Sequence, residues 1–235
     1  MPVNFLHRSL AVFILLSASY LPPAWAEAPI FNGGAKIALG GWGVDDNDGS
    51  ARVVGNGSLL NLQMALHWNK AYVGAGLSGG RFDFGTRAPR RPTAPSAPLQ
   101  SGTLQRGEFD AVLGYYFWER VALFTALKST AAKWDDGYTL DTAGLGVGVS
   151  AQHTLAPRWS LLWHLGLMSL DAGYAKEKIG TGSATTLEFT GVYHVNATTG
   201  LRFGLKLQGQ TLQFNNGVRQ AHNLNTLGAG INHAF

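Results

Sequence analysis

The feature that most constrains this chain is an alternation of apolar and polar residues with a period of two, recurring from one end of the sequence to the other. From Ser58 to Trp68, Leu60, Leu62, Met64, Leu66 and Trp68 occupy every second position, with Asn61, Gln63, Ala65 and His67 between them. Gly107–Phe117 repeats the pattern: Phe109, Ala111, Leu113, Tyr115 and Phe117 alternate with Glu108, Asp110, Val112, Gly114 and Tyr116. A helix would scatter these positions around its circumference, whereas a strand sends them to opposite faces. Runs at Val121–Lys128, Ala143–Gln152, Ser160–Leu167, Leu187–Val195, Leu201–Gln208 and Leu227–Phe235 read the same way, with less regular ones near Gly34–Gly43 and Ala71–Phe82. This gives about ten strands of about ten residues, with eight to twelve as the range a weak per-strand signal allows.

Connections are expected to alternate in length. Short ones fall at Asn69-Lys70, around Glu119, around Pro157 and at Asn196-Ala197. Long ones are expected near 44–57, 83–106, 134–141, 171–185 and 214–222. An even strand count then returns both ends of the chain to the short-turn side. The chain is 46% hydrophobic and only 14% charged. No apolar run is long enough for a transmembrane helix, which needs about 20 residues. A closed sheet with one face in lipid reconciles these facts, because the alternation supplies an apolar outside and a Gly-, Ser-, Thr- and Gln-rich inside. Aromatics such as Trp68, Tyr115, Phe117, Trp118, Trp159, Trp163 and Tyr193 flank the short turns, where an interfacial girdle belongs. The expectation is an all-β, transmembrane, antiparallel up-and-down barrel.

The N-terminal residues read as an export signal. Arg8 precedes the apolar run Leu10–Leu16, Pro22 and Pro23 break any helix, and Ala24-Trp25-Ala26 is a small-x-small cleavage pattern. Residues 1–26 are therefore expected to be removed, leaving 27–235 as one barrel domain. The absence of cysteine excludes disulfides and thiolate sites.

The last strand carries a family resemblance. Leu227, Ile231 and Phe235 alternate to a terminal aromatic. This resembles the C-terminal assembly signal of Gram-negative outer-membrane β-barrel proteins. The resemblance implies an outer-membrane location, with membrane lipid, lipopolysaccharide and the outer-membrane insertion machinery as partners. It implies no activity.

Four groups of residues bear on function. First, reflection through the turn at Glu119 sets Asp110 opposite Lys128, and reflection through Ala197 sets Glu188 opposite Lys206, with Arg202 on the same face. These lumenal charges are expected to form ion pairs that fill the interior, or alternatively to line a narrow pore. Second, Pro89, Pro92, Pro95 and Pro98 recur every third residue, the period of a polyproline II helix, beside Arg87, Arg90 and Arg91. This basic loop suits lipopolysaccharide phosphates, while the lack of interleaved aromatics argues against nucleic acid. Third, Asp45, Asp46 and Asp48 lack the spacing and distal Glu of a calcium loop, so no metal site is expected. Fourth, ten strands with Asp45, Asp46, Asp135, Asp136 and His222 at the rim resemble, by strand number alone, the layout of omptin proteases. Lipid A deacylases pair a His with a Ser two positions on, and no histidine after residue 26 has that neighbour. The residues thus favour a small, monomeric barrel of structural or surface-contact role with a filled lumen and no cofactor. The alternatives are a narrow porin-like channel and, behind it, a rim-site hydrolase.

Overall fold

The computed structural model describes residues 29–46, 52–85, 88–93 and 102–235. The expected signal peptide, Asp48, Arg87, Pro95 and Pro98 lie outside them. The described chain forms ten strands: β1 (Ile30–Asp46), β2 (Val53–Trp68), β3 (Ala71–Asp83), β4 (Thr103–Trp118), β5 (Val121–Trp134), β6 (Thr139–Ala156), β7 (Trp159–Tyr174), β8 (Glu177–His194), β9 (Thr199–Phe214) and β10 (Arg219–Ala234). Each pairs antiparallel with its sequence neighbour, and β1 pairs with β10 to close the barrel. The count and the up-and-down topology are those expected from the alternation.

Both ends of the sheet lie at one rim, the terminal end. There Phe235 N–H donates to the Phe31 carbonyl at 2.9 Å and their rings meet at 5.6 Å. The terminal end carries the connections 69–70, 119–120, 157–158 and 195–198, and the opposite, loop end carries the rest.

The strands are longer than the sequence led us to expect, at 13 to 18 residues. The loop-end connections 135–138, 175–176 and 215–218 are correspondingly short, while residues 84–102 join β3 to β4. Two physical causes explain the difference. The β7–β8 turn places Ala175 (φ 49°) and Lys176 (φ 73°) in the left-handed region, a tight hairpin built without the Asn or Gly that usually announces one. More importantly, the alternation changes phase midway along the strands. Near the terminal end the outward face is apolar, as with Leu201, Phe203, Leu205 and Leu207 on β9 or Leu60, Leu62, Met64 and Leu66 on β2. Toward the loop end the outward face turns polar: Thr211 and Gln213 on β9, Thr181, Ser183 and Thr185 on β8, Ser129 and Lys133 on β5. The inward face there is apolar, with Leu212, Phe214, Leu170, Trp134, Leu104, Phe82 and Trp42 all buried. One half of the barrel is thus built for lipid and the other, like a water-soluble barrel, around a dry core. The apolar stretch from Leu227 to Phe235 rises roughly 21 Å at about 3.4 Å per residue and a tilt of roughly 40°, near the height of the apolar band of such barrels.

Candidate functional site: a layered lumen

The interior has three layers. The outermost, at the loop end, is the apolar cluster. Trp42 packs edge-on against Phe82 and Phe84, at 5.6 and 5.7 Å between ring centres. Residues 88–93 fold inward over this cluster and cap the mouth. Barrel side chains hold the cap by its carbonyls: Trp134 Nε1 donates to Pro89 at 3.1 Å, Gln220 Nε2 to Arg90 at 3.0 Å and Asn216 Nδ2 to Pro92 at 2.7 Å. Arg91 forms an ion pair with Asp136 and lies over the Tyr138 ring. Arg90 and Arg91, two of the three arginines expected in an external basic arm, therefore belong, by the Arg90 carbonyl and the Arg91 side chain, to the closure of the barrel.

The second layer is ionic. Register places Asp110 opposite Lys128 and Glu188 opposite Lys206. The contacts nevertheless follow a different pattern, because strand twist and long side chains carry the ammonium groups away from their direct neighbours. Lys128 and Lys206 converge on Glu108, the latter at 2.6 Å, and Arg106 Nη2 reaches the same carboxylate at 3.2 Å. Glu188 instead receives Lys36 at 2.9 Å. Asp110 stands within electrostatic reach of Lys128 and Lys206. In the closed strand order β4 and β9 are diametrically opposite, so the Glu108–Lys206 contact crosses the full lumen. The sequence places Glu108 on the inward face but gives no sign that it is the hub, since nothing local pairs residues 98 apart. Lys36 is missed for a similar reason, although a lone charge amid Gly, Ala, Ile and Leu is itself a signal.

The third layer faces the terminal end. One side is packed by aromatics. Tyr72 stacks on His67 at 5.5 Å and lies over Gly114, while Phe124 fills the space left at Gly148 and meets His164 at 4.6 Å. Nearer the loop end, at Gly144 and Gly146, the vacated space is taken by Leu170 and Met168. The other side, along β8, β9, β10 and β1, is open to solvent. Exposure falls inward, from 25% at the Glu188 side chain and 16% at Lys206 to 2% at Glu108.

The acids and the histidine of the suggested rim site are not brought together. His222 is buried inside the barrel, its ring 6.0 Å from Trp42. Asp45 faces Arg52 at 3.9 Å, and Asp46 accepts from Gln220 at 2.7 Å. Asp135 accepts from the Thr103 N–H and hydroxyl, both at 2.8 Å, and these bonds hold its carboxyl below the usual aspartate range. Among the described residues no three His, Asp or Glu side chains gather as a metal site. Ser160 and His194 share a 2.9 Å hydrogen bond near the terminal end, and among the described residues no acid bonds the ring's other nitrogen.

No protein-family profile and no curated sequence matches the chain. Solved structures do. The outer-membrane protease OmpT of Escherichia coli aligns with a TM-score of 0.54 at 10% identity, over 88% of this chain and 97% of that one. An outer-membrane channel of Pseudomonas putida F1 aligns at 0.43 and 11% identity, over 92% and 100%. The first likeness establishes the fold, that of the outer-membrane β-barrels, and extends no further. Fold and lipid-facing belt together support an outer-membrane location.

Proposed function

We propose that the mature protein is a closed, monomeric outer-membrane barrel whose role is structural or surface contact, exported by the signal at residues 1–26 and oriented with its terminal end in the periplasm. The observation that carries this reading is the Glu108–Lys206 contact, which bridges opposite walls of the lumen beneath an apolar cluster and a cap bound at three carbonyls. Water and ions have no use for a dry aromatic plug, and a buried carboxylate with three cationic partners is costly to open. Outside, Arg81, Lys133 and Arg219 point away from the barrel just beyond the lipid belt, where the phosphates of lipopolysaccharide would lie. They take over the contact expected of Arg90 and Arg91. The test is single-protein conductance in planar bilayers. The refolded protein should insert without measurable ion current. Steady, voltage-stable openings in the wild type would overturn the closed reading in favour of a narrow channel.

A further inference from the structure

We propose that the solvent-open layer of the lumen is a binding site for a protonated oxyanion of the phosphate class, held by Arg202 and Lys36 with Glu188 as the acceptor of its hydroxyl.

Charge is the first reason. Among the described residues the ionic layer carries five cations, Lys36, Arg106, Lys128, Arg202 and Lys206, against three carboxylates, Glu108, Asp110 and Glu188. Three of those cations share the single carboxylate of Glu108. Uncompensated positive charge inside a narrow barrel is unfavourable, and an anion relieves it.

Arg202 localises the deficit. It has no carboxylate within ion-pair distance among the described residues, and its Nε–H is buried without a hydrogen-bond acceptor. Glu188 acts on it only at longer range. The neighbouring strand adds Asn232, set opposite Gly200, whose amide oxygen is likewise buried and unbonded. A free guanidinium fork is suited to two oxygens of one oxyanion.

Glycines let the Lys36 chain and the neighbouring strands approach closely. Gly204 lies between Arg202 and Lys206 on the inward face of β9, and Gly228 and Gly230 are their neighbours on β10. With no side chains in this patch, Lys36 reaches from β1 across β10 and β9 to Glu188 on β8. Its ammonium stands 3.6 Å from the point a Gly204 Cβ would occupy, between Arg202 and Lys206. Gly230 pairs with Lys36 on one side and Arg202 on the other, so two cations are set side by side next to Glu188, whose side chain is 25% exposed.

Glu188 sets the class of anion. Lys36 and Thr190 both use its Oε1, at 2.9 and 3.5 Å. Oε2 remains an acceptor, and the side chain is the most exposed of the layer's ion-paired groups, at 25%. A carboxylate beside the two cations repels a fully deprotonated oxyanion and accepts a hydrogen bond from a protonated one. Hydrogen phosphate, which keeps a proton near neutral pH, satisfies both the arginine fork and this acceptor, whereas sulfate satisfies only the fork.

The experiment is isothermal titration of the refolded, full-length mature protein near neutral pH with inorganic phosphate, sulfate and chloride at matched ionic strength. Phosphate should bind saturably at one site, at least tenfold more tightly than sulfate, with no saturable chloride signal. Arg202→Gln should weaken phosphate at least tenfold, Arg202→Lys less, and Glu188→Gln should erase the preference over sulfate. Folding of each variant is checked by its heat-modifiable mobility on gels. Equal responses to the three anions, or an unchanged phosphate affinity in a folded Arg202→Gln protein, would overturn the proposal. If the arginine variants do not fold, the wild-type comparison of phosphate with sulfate decides by itself. Bilayer conductance tests the closed barrel separately, since a blind, phosphate-binding chamber passes no current.

Discussion

Replacing Glu108 by Gln removes one negative charge and leaves Arg106, Lys128 and Lys206 gathered around a neutral amide. Its carboxylate is 2% exposed and accepts from all three cations, so water cannot replace it in place. Removing one partner of a buried ionic cluster costs about 3–5 kcal/mol, because the remaining charges stay buried. At about 1.4 kcal/mol per factor of ten, that is roughly a hundred- to several-thousand-fold in the folding equilibrium. Glu188→Gln is the internal comparison. It loses one ion pair at 2.9 Å from a side chain that is 25% exposed, and should cost about 1 kcal/mol. The assay is urea unfolding of both variants in lipid vesicles, followed by tryptophan fluorescence, whose midpoint and slope give the free energy. The double variant Glu108→Gln with Lys128→Met should recover part of the loss, since one stranded charge leaves with its partner. If Glu108→Gln costs no more than Glu188→Gln, then water reaches the layer and the lumen is not sealed at that level.

At Gly148, an added Cβ meets both the Phe124 ring and the Leu165 carbonyl oxygen. Gly148→Ala should therefore destabilise by about 1–3 kcal/mol in the same urea assay, and Phe124→Ala in the same chain should return only the ring's share. For Asp135, whose carboxyl lies below its ordinary value of about 3.9, the bond to Thr103 is intact above that value and is lost as pH falls through the lower folded value. An NMR titration of the Thr103 amide should show a midpoint below about 3.9 that vanishes in Asp135→Asn, and a midpoint at or above it would refute the assignment.

The fold was legible because each strand repeats a local rule. Leu60–Leu66 and Leu201–Leu207 need no knowledge of one another to be read as lipid faces. The closure was not legible, since its decisive contacts join residues far apart in sequence. Asp110 and Lys128 reflect through a turn and can be paired on paper, but Glu108 and Lys206 meet only because β4 and β9 close opposite each other. The loop-end half was misread for another reason. Ser183 and Thr185 resemble loop residues when an outward face is expected to be apolar, yet they are the outside of a strand that has left the lipid. The same error placed His222 at a rim, whereas it alternates inward with Gln220 and Leu224.

The position of the ionic layer follows from that change of phase. Glu108 adjoins Phe109, Lys128 adjoins Ser129 and Lys206 adjoins Leu207, at the line where the outward face passes from apolar to polar. Below this line one side of the interior is wet, and above it the interior is dry. Charges placed higher would lose the water that reaches Lys206, and charges placed lower would leave the dry core without a polar boundary. The layer also opposes register errors. A slip of one residue turns every inward side chain outward, so Glu108, Lys128 and Lys206 would all face the edge of the lipid while Leu205 and Leu207 turned inward. A lysine on the lipid face costs about 2–4 kcal/mol at the midplane and about 0–1 kcal/mol near the interface. Near the interface, then, direct exposure to lipid contributes little of the penalty. The larger part is the loss of the ion pairs across the lumen, which makes the contact between opposite walls the element that fixes the alignment of strands on both sides of the barrel.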